Sequence, residues 1–172
     1  MNIADTYDYL MRARRDLWAV LAAAPDELLS RPLAGDDWFS CLKDLVFHIA
    51  TVEDGWIHGD ILREEPVLMN YPTLRDAEEG AACGFALAAL LDYWRVVEQS
   101  TLIYLAALTD EELNRIVTVE DWPPQHQRFK LDGLLWHVVI HEMRHTAQIV
   151  VLLRSQGIKP PSLDLLFYLP ST

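Results

Sequence analysis

The stretch that decides the fold runs from Leu131 to Gln156 and reads LDGLLWHVVIHEMRHTAQIVVLLRSQ. An α-helix turns about 100° per residue. With His141 at zero, Leu134 and Leu152 fall at about +20°, Val138 at about +60°, His145 at about +40° and Gln148 at about −20°. These positions make one apolar stripe with two histidines at its middle. Gly157 suits a C-terminal cap, and Pro160-Pro161 stops any continuation. The spacing predicts a long helix that turns two imidazoles toward the core.

Working outward, a second helix carries the same pattern. Ser40 is placed as its N-cap, and it runs to about Glu64. With His48 at zero, Leu45 lies at about +60°, Val52 at about +40°, Gly55 at about −20°, Gly59 at about +20° and Leu62 at about −40°. His48 is therefore also centred on a core-facing stripe, and the two glycines would let another helix approach closely. A first helix spans about Ile3 to Ala24, with Leu10, Ala13, Leu17, Val20 and Ala24 on one face. Pro25 ends it, and Asp26-Glu27-Leu28 reads as a short extra turn. Pro66, Asn70 and Pro72 mark a loop; a third helix follows Thr73, is interrupted near Gly84 and ends at Leu108. Thr109-Asp-Glu-Glu112 reads as a capping box. Between residues 114 and 130, β-branched Ile116-Val-Thr-Val119 and Pro123-Pro124 suggest a loop or small two-stranded ribbon. Apolar Leu163 to Leu169 is expected to pack back on the rest. The whole chain, residues 1–172, reads as one all-α domain, a four-helix bundle with a small insert between its third and fourth helices. A faint echo between Leu21–Leu29 and Leu105–Leu113 suggests two stacked helical hairpins related by a pseudo-two-fold.

Composition excludes several classes. Hydrophobic residues make up 51% and charged residues 23%, as in ordinary globular domains. The net charge of −12 repels phosphate backbones and argues against nucleic acid as a partner. No apolar run reaches the roughly 20 residues that span a bilayer. Arg12 to Arg15 followed by Leu17 to Pro25 imitates a secretion signal, but Asp5, Asp8 and Asp16 lie in or beside the segment that should be basic. Cys41 and Cys83 have no Cys-x-x-Cys partner and read as reduced, buried thiols of a cytoplasmic protein.

Three inward histidines need an explanation, because burying imidazoles without partners costs several kcal/mol, roughly, for polar groups of this kind. A shared cation satisfies all three. His48, His141 and His145 can meet inside a bundle, and neutral imidazoles suit zinc, nickel or iron(II) rather than magnesium or calcium. Three protein ligands leave a position open for water or substrate. His137, at about −40° from His141, is a fourth ligand, a partner to the ligands or a packing residue. His58 falls on a flank and His126 in the loop, where surface positions are expected. Asp44 either orients an imidazole or favours its own helix N-terminus. Trp56 either lines a pocket or fills the core. His141-Glu142-Met143-Arg144-His145 also spells His-Glu-x-x-His, in which Glu142 would be a general base. The context for a zinc hydrolase is poor. No Glu or His follows His145, Asp164 is the only later acid, Gln148 and Val151 replace the metzincin pattern, and no strong sheet precedes the motif to bind a peptide edge-on.

The chain resembles the DinB-like proteins, four-helix bundles. The resemblance is carried by Leu45-Val-Phe-His48-Ile-Ala-Thr-Val-Glu-Asp-Gly-Trp56, by Leu135-Trp-His-Val-Val-Ile-His-Glu-Met-Arg-His-Thr-Ala-Gln-Ile149 and by the insert between them. It implies that His48, His141 and His145 are the family's metal triad. It also implies a metal-dependent enzyme that transfers a low-molecular-weight thiol to a small electrophile, or a thiol-dependent isomerase, and a homodimer with Trp136 as a candidate contact. A non-enzymatic metal- or ligand-binding stress-response bundle is the alternative. The family usually follows its last histidine with Arg-Gly-Gln, where this chain has Thr146-Ala147-Gln148. Arg144, one position before that histidine, is expected to point elsewhere.

Overall fold

Asn2 starts the first helix with a reciprocal cap. Its side chain accepts from Asp5 N at 2.9 Å, while its own N donates to Asp5 Oδ2 at 3.3 Å. The computed structural model describes residues 2–33, 38–76, 80–120 and 122–169. Helix α1 covers Ile3–Ala23 and the short α2 covers Asp26–Leu29. α3 (Leu42–Asp54) passes without a break into a π-helical segment, Gly55–Leu62. α4 (Pro72–Arg75) and a 3₁₀ turn at Ala81–Gly84 precede α5 (Leu87–Ala106). α6 (Asp110–Leu113) is capped by Thr109, whose hydroxyl accepts from Glu112 N at 3.2 Å. The ribbon is real: β1 (Ile116–Thr118) pairs antiparallel with β2 (Arg128–Lys130), Val117 opposite Phe129. α7 covers Leu131–Ser155, and Gly157 ends it at φ +77°, a backbone conformation that favours glycine. The tail turns back on α1, where Tyr168 donates to Asp16 at 2.6 Å and meets the Tyr9 ring edge-on at 5.4 Å.

The four long helices form the bundle, as the sequence pattern implied. α3 packs on α5 and α7, and α1 packs on the same two. Helices consecutive in the chain, α1 then α3 and α5 then α7, therefore lie across the diagonals rather than side by side. The expected stacked hairpins are not the packing units. The long connections that this crossing needs hold the short helices and the ribbon. Two apolar clusters fill the interior. One gathers Leu17, Trp18, Leu45, Ile49, Trp94, Ile149 and their neighbours; the other gathers Tyr7, Leu10, Ile57, Leu134, Leu135, Val139 and the ribbon's Val117.

Three expectations need correction. Cys41 and Cys83 are not free thiols; they form a disulfide across a sequence separation of 42 residues. Cys41, not Ser40, is the N-cap of α3, and Asp44 Oδ2 accepts from Ser40 N at 2.9 Å. Gly55 and Gly59 do not admit a neighbouring helix, since a Cβ at either position would meet nothing within 4 Å. A glycine is required instead at Gly80. Its φ is +78°, and a Cβ there would lie 2.6 Å from Ser40 Oγ. Among the described residues, no helix is long and apolar enough to cross a membrane.

Candidate metal centre

α3 contributes His48, and α7 contributes His141 and His145 from successive turns. The packing of α3 on α7 brings them together. One ligand atom from each lies within 4.8 Å of the others. His48 Nε2 and His141 Nε2 are 3.1 Å apart. Two nitrogens bound to one tetrahedral zinc lie about 3.3 Å apart at the usual bond lengths, so this spacing fits one shared cation. Ring centroids are 4.9 Å apart for His48 with His141 and with His145, and 4.4 Å apart for His141 with His145.

Gln148 sets the tautomer of one ring. His145 Nδ1 lies 2.6 Å from Gln148 Oε1, and an amide oxygen only accepts, so Nδ1 carries the proton and Nε2 keeps its lone pair. Electrostatics keep the other two neutral as well. Burial, then His145 and Arg144, lower His48 to about 4. Burial, then the neighbouring imidazoles and Arg144, lower His141 to about 3. Burial lowers His145 too, against the Gln148 hydrogen bond and with help from Arg144. At neutral pH all three rings are uncharged, and each has one lone pair that it can offer to a metal.

The surroundings are aromatic. Phe39 stands edge-on to His48 at 5.1 Å and to His145 at 5.5 Å. On the other side, Trp56 meets His137 at 5.2 Å and Trp122 at 5.8 Å. His137 is exposed and packs on Trp56; its ring centroid lies 6.0 Å from that of His141, but it is not among the three residues whose ligand atoms converge. Among the described residues, no fourth nitrogen, sulfur or carboxylate joins the three histidines. Trp56 and Trp136 are half-buried and pack against the second apolar cluster, Trp56 reaching the His137 ring rather than the three convergent ones.

The remaining sequence candidates separate cleanly. Asp44 serves the start of α3 and orients no imidazole. His126 is exposed, as expected, but His58 is 4% exposed, with Nδ1 2.7 Å from Asp54 Oδ1 and Nε2 2.6 Å from Ser100 Oγ. Glu142 cannot act on the triad. Its carboxylate accepts from Arg14 Nε at 2.9 Å and from Arg14 Nη2 at 2.6 Å, on another face of α7. That face borders a cavity of about 500 Å³ between α1, α7 and Pro161–Asp164, which Thr146 also lines and which none of the three histidines touches. The His-Glu-x-x-His reading thereby loses its base.

Two functional residues were missed. Phe39 lies outside any periodic segment, and nothing in its spacing marks it. Arg144 does not point elsewhere: its Nη2 lies 3.0 Å from His145 Nε2. The signal was present, since Arg144 falls only about 60° from His141 on the helical wheel and has a long side chain.

Comparison with known proteins agrees with this architecture. A conserved protein from Enterococcus faecalis has a solved structure that matches with a TM-score of 0.71 and 19% identity, over 90% of this chain and 96% of that one. A DinB-like protein from Bacillus cereus ATCC 10987 matches with a TM-score of 0.56 and 21% identity, over 90% of this chain and 94% of that one. None of the curated proteins compared with the chain matches it. The DinB family profile matches residues 1–172, the full length of the sequence, and the chain belongs to the DinB family.

Proposed function

We propose that the protein is a divalent-metal-dependent enzyme that transfers a low-molecular-weight thiol to a small electrophile, or uses such a thiol to isomerise its substrate. The observation that supports this reading is the convergence of three neutral imidazoles with no fourth protein ligand among the described residues. His48, His141 and His145 would hold the cation, and zinc, nickel or iron(II) fits their nitrogen chemistry. A cation there would supply Lewis acidity, lowering the pKa of a thiol at neutral pH. The chain's own part is positional. Gln148 aims the His145 lone pair, while Phe39 covers the His48 and His145 rings.

Elemental analysis of untagged protein tests the ligand set. Wild type should carry about one metal ion per chain, and His48→Ala and His145→Ala should carry almost none. Gln148→Ala should bind the metal about 10- to 100-fold more weakly, the usual effect of removing a hydrogen bond that orients a ligand. Full metal content in both histidine variants would overturn the assignment. Turnover of a chromogenic electrophile with a panel of small thiols then separates an enzyme from a non-enzymatic binding bundle. Metal-loaded protein that is inactive with every thiol favours the latter.

A further inference from the structure

The ring atom of His145 that would face a cation already has a partner. Arg144 donates to His145 Nε2 from 3.0 Å, and no carboxylate among the described residues forms an ion pair with Arg144. That is unusual company for a guanidinium on a chain of net charge −12. The acids near this part of α3 and α7 are engaged elsewhere: Asp44 with Ser40 N, and Glu142 with Arg14. The Arg144 guanidinium lies close enough for its charge to act on all three imidazoles. A cation that takes the His145 lone pair must displace the guanidinium. It would leave Arg144 beside the metal as one more positive charge, with no carboxylate among the described residues paired to it.

We propose that the site takes a carboxylate-bearing substrate and that Arg144 is the group that grips the carboxylate. This rests on the metal-and-thiol reading above and narrows it. The planar guanidinium presents paired donors that match a carboxylate, and its position next to a ligand sets the distance between the gripped end and the reacting end of a small molecule. Phe39, edge-on to His48 and His145, supplies an apolar wall beside the reacting end. The substrate class is therefore a small organic acid whose thiol or electrophilic carbon lies a few bonds from its carboxylate.

Cobalt-loaded protein allows a test without turnover. The probes are 3-mercaptopropionate and its uncharged counterpart 3-mercaptopropanol, followed through the near-ultraviolet thiolate-to-cobalt charge-transfer band. Wild type should bind the acid about tenfold more tightly than the alcohol, the order expected of one charge-assisted hydrogen bond. Arg144→Ala, at an exposed position and without the guanidinium that a cation has to displace, should take up cobalt at least as readily as wild type, still bind the alcohol and lose the preference for the acid. Equal affinity for the two thiols in wild type overturns the role of Arg144 and leaves the thiol reading standing. So does a preference that survives Arg144→Ala. Protein that takes up no cobalt, or that binds neither thiol, overturns both readings.

Discussion

His58 and the triad histidines show one side chain driven in opposite directions by its neighbours. Burial and positive company push His48 and His141 down. The Asp54 carboxylate beside His58 outweighs burial and pushes His58 up. Asp54 is itself fixed, accepting from Val67 N, Leu68 N and the Tyr93 hydroxyl at 2.8 to 2.9 Å. A histidine whose folded pKa exceeds its unfolded value near 6.5 stabilises fully below that value, and the contribution disappears as pH rises through the folded pKa. Wild type should therefore be more stable than His58→Gln at mildly acid pH, and the gap should narrow as pH rises through the raised folded pKa. Urea titrations across that range check it, and a gap of constant width would remove the charged pair from the account. His48, His141 and His145 were legible in sequence because all three sit in regular α-helix, where 100° per residue holds. His58 was not, because it lies in the π-helical Gly55–Leu62, whose wider turn moves each residue off its α-helical phase.

At the scale of elements, three of the four long helices were legible; the third in chain order, expected to follow Thr73, begins only at Leu87, and the fastenings were not legible at all. Periodicity and stop signals located α1 and α7 to within a residue or two, since Pro25 and Gly157 leave strong local signals. The start of α3 is different. Cys41 caps it and is tied to Cys83, while Asp44 reaches back to Ser40 N and lies 3.5 Å from Cys83 Sγ. No local spacing rule links two cysteines 42 residues apart, so pairing is a product of the packing between α3 and the turn before α5. The link fixes the chain two residues after Phe39, and thus the aromatic cover over His48 and His145. Closing a loop of that length contributes about 4 kcal/mol in the chain-entropy treatment. Native protein should show no titratable thiols. Reduction by dithiothreitol and Cys83→Ser should each lower stability by roughly that amount. Two reactive thiols in the untreated protein, with unchanged melting on reduction, would mean that the bond does not form.

At the scale of the molecule, one polar layer joins all four long helices. Arg14 of α1 binds Glu53 of α3 at 3.3 Å, Glu98 of α5 at 2.9 Å and Glu142 of α7 at 2.6 Å. On each helix that residue falls between the parts that feed the two apolar clusters, so the layer divides the core in height. Glu53 also accepts from Trp94 Nε1 at 3.0 Å, from Thr101 at 2.9 Å and from Tyr7. Glu98 has a second partner in Arg15. The layer thus sets three carboxylates against the two guanidiniums of Arg14 and Arg15, and burial pushes the Glu98 and Glu142 carboxyls up while Arg14 pulls them back. The imbalance orders the expected costs. Arg14→Met strands all three acids in a dry interior and should cost about 3–5 kcal/mol. Glu142→Gln removes one of the acids in excess, keeps an acceptor for Arg14, and should cost only about 1–2 kcal/mol. Denaturant unfolding of the two variants measures the order, and elemental analysis of Glu142→Gln should find its metal intact. A glutamate acting as base beside the metal would give the reverse: stability close to wild type and a loss confined to turnover. The contrast between a large stability cost at Arg14 and an intact metal site at Glu142→Gln therefore decides whether the central glutamate of the His-Glu-x-x-His sequence belongs to the fold or to the chemistry.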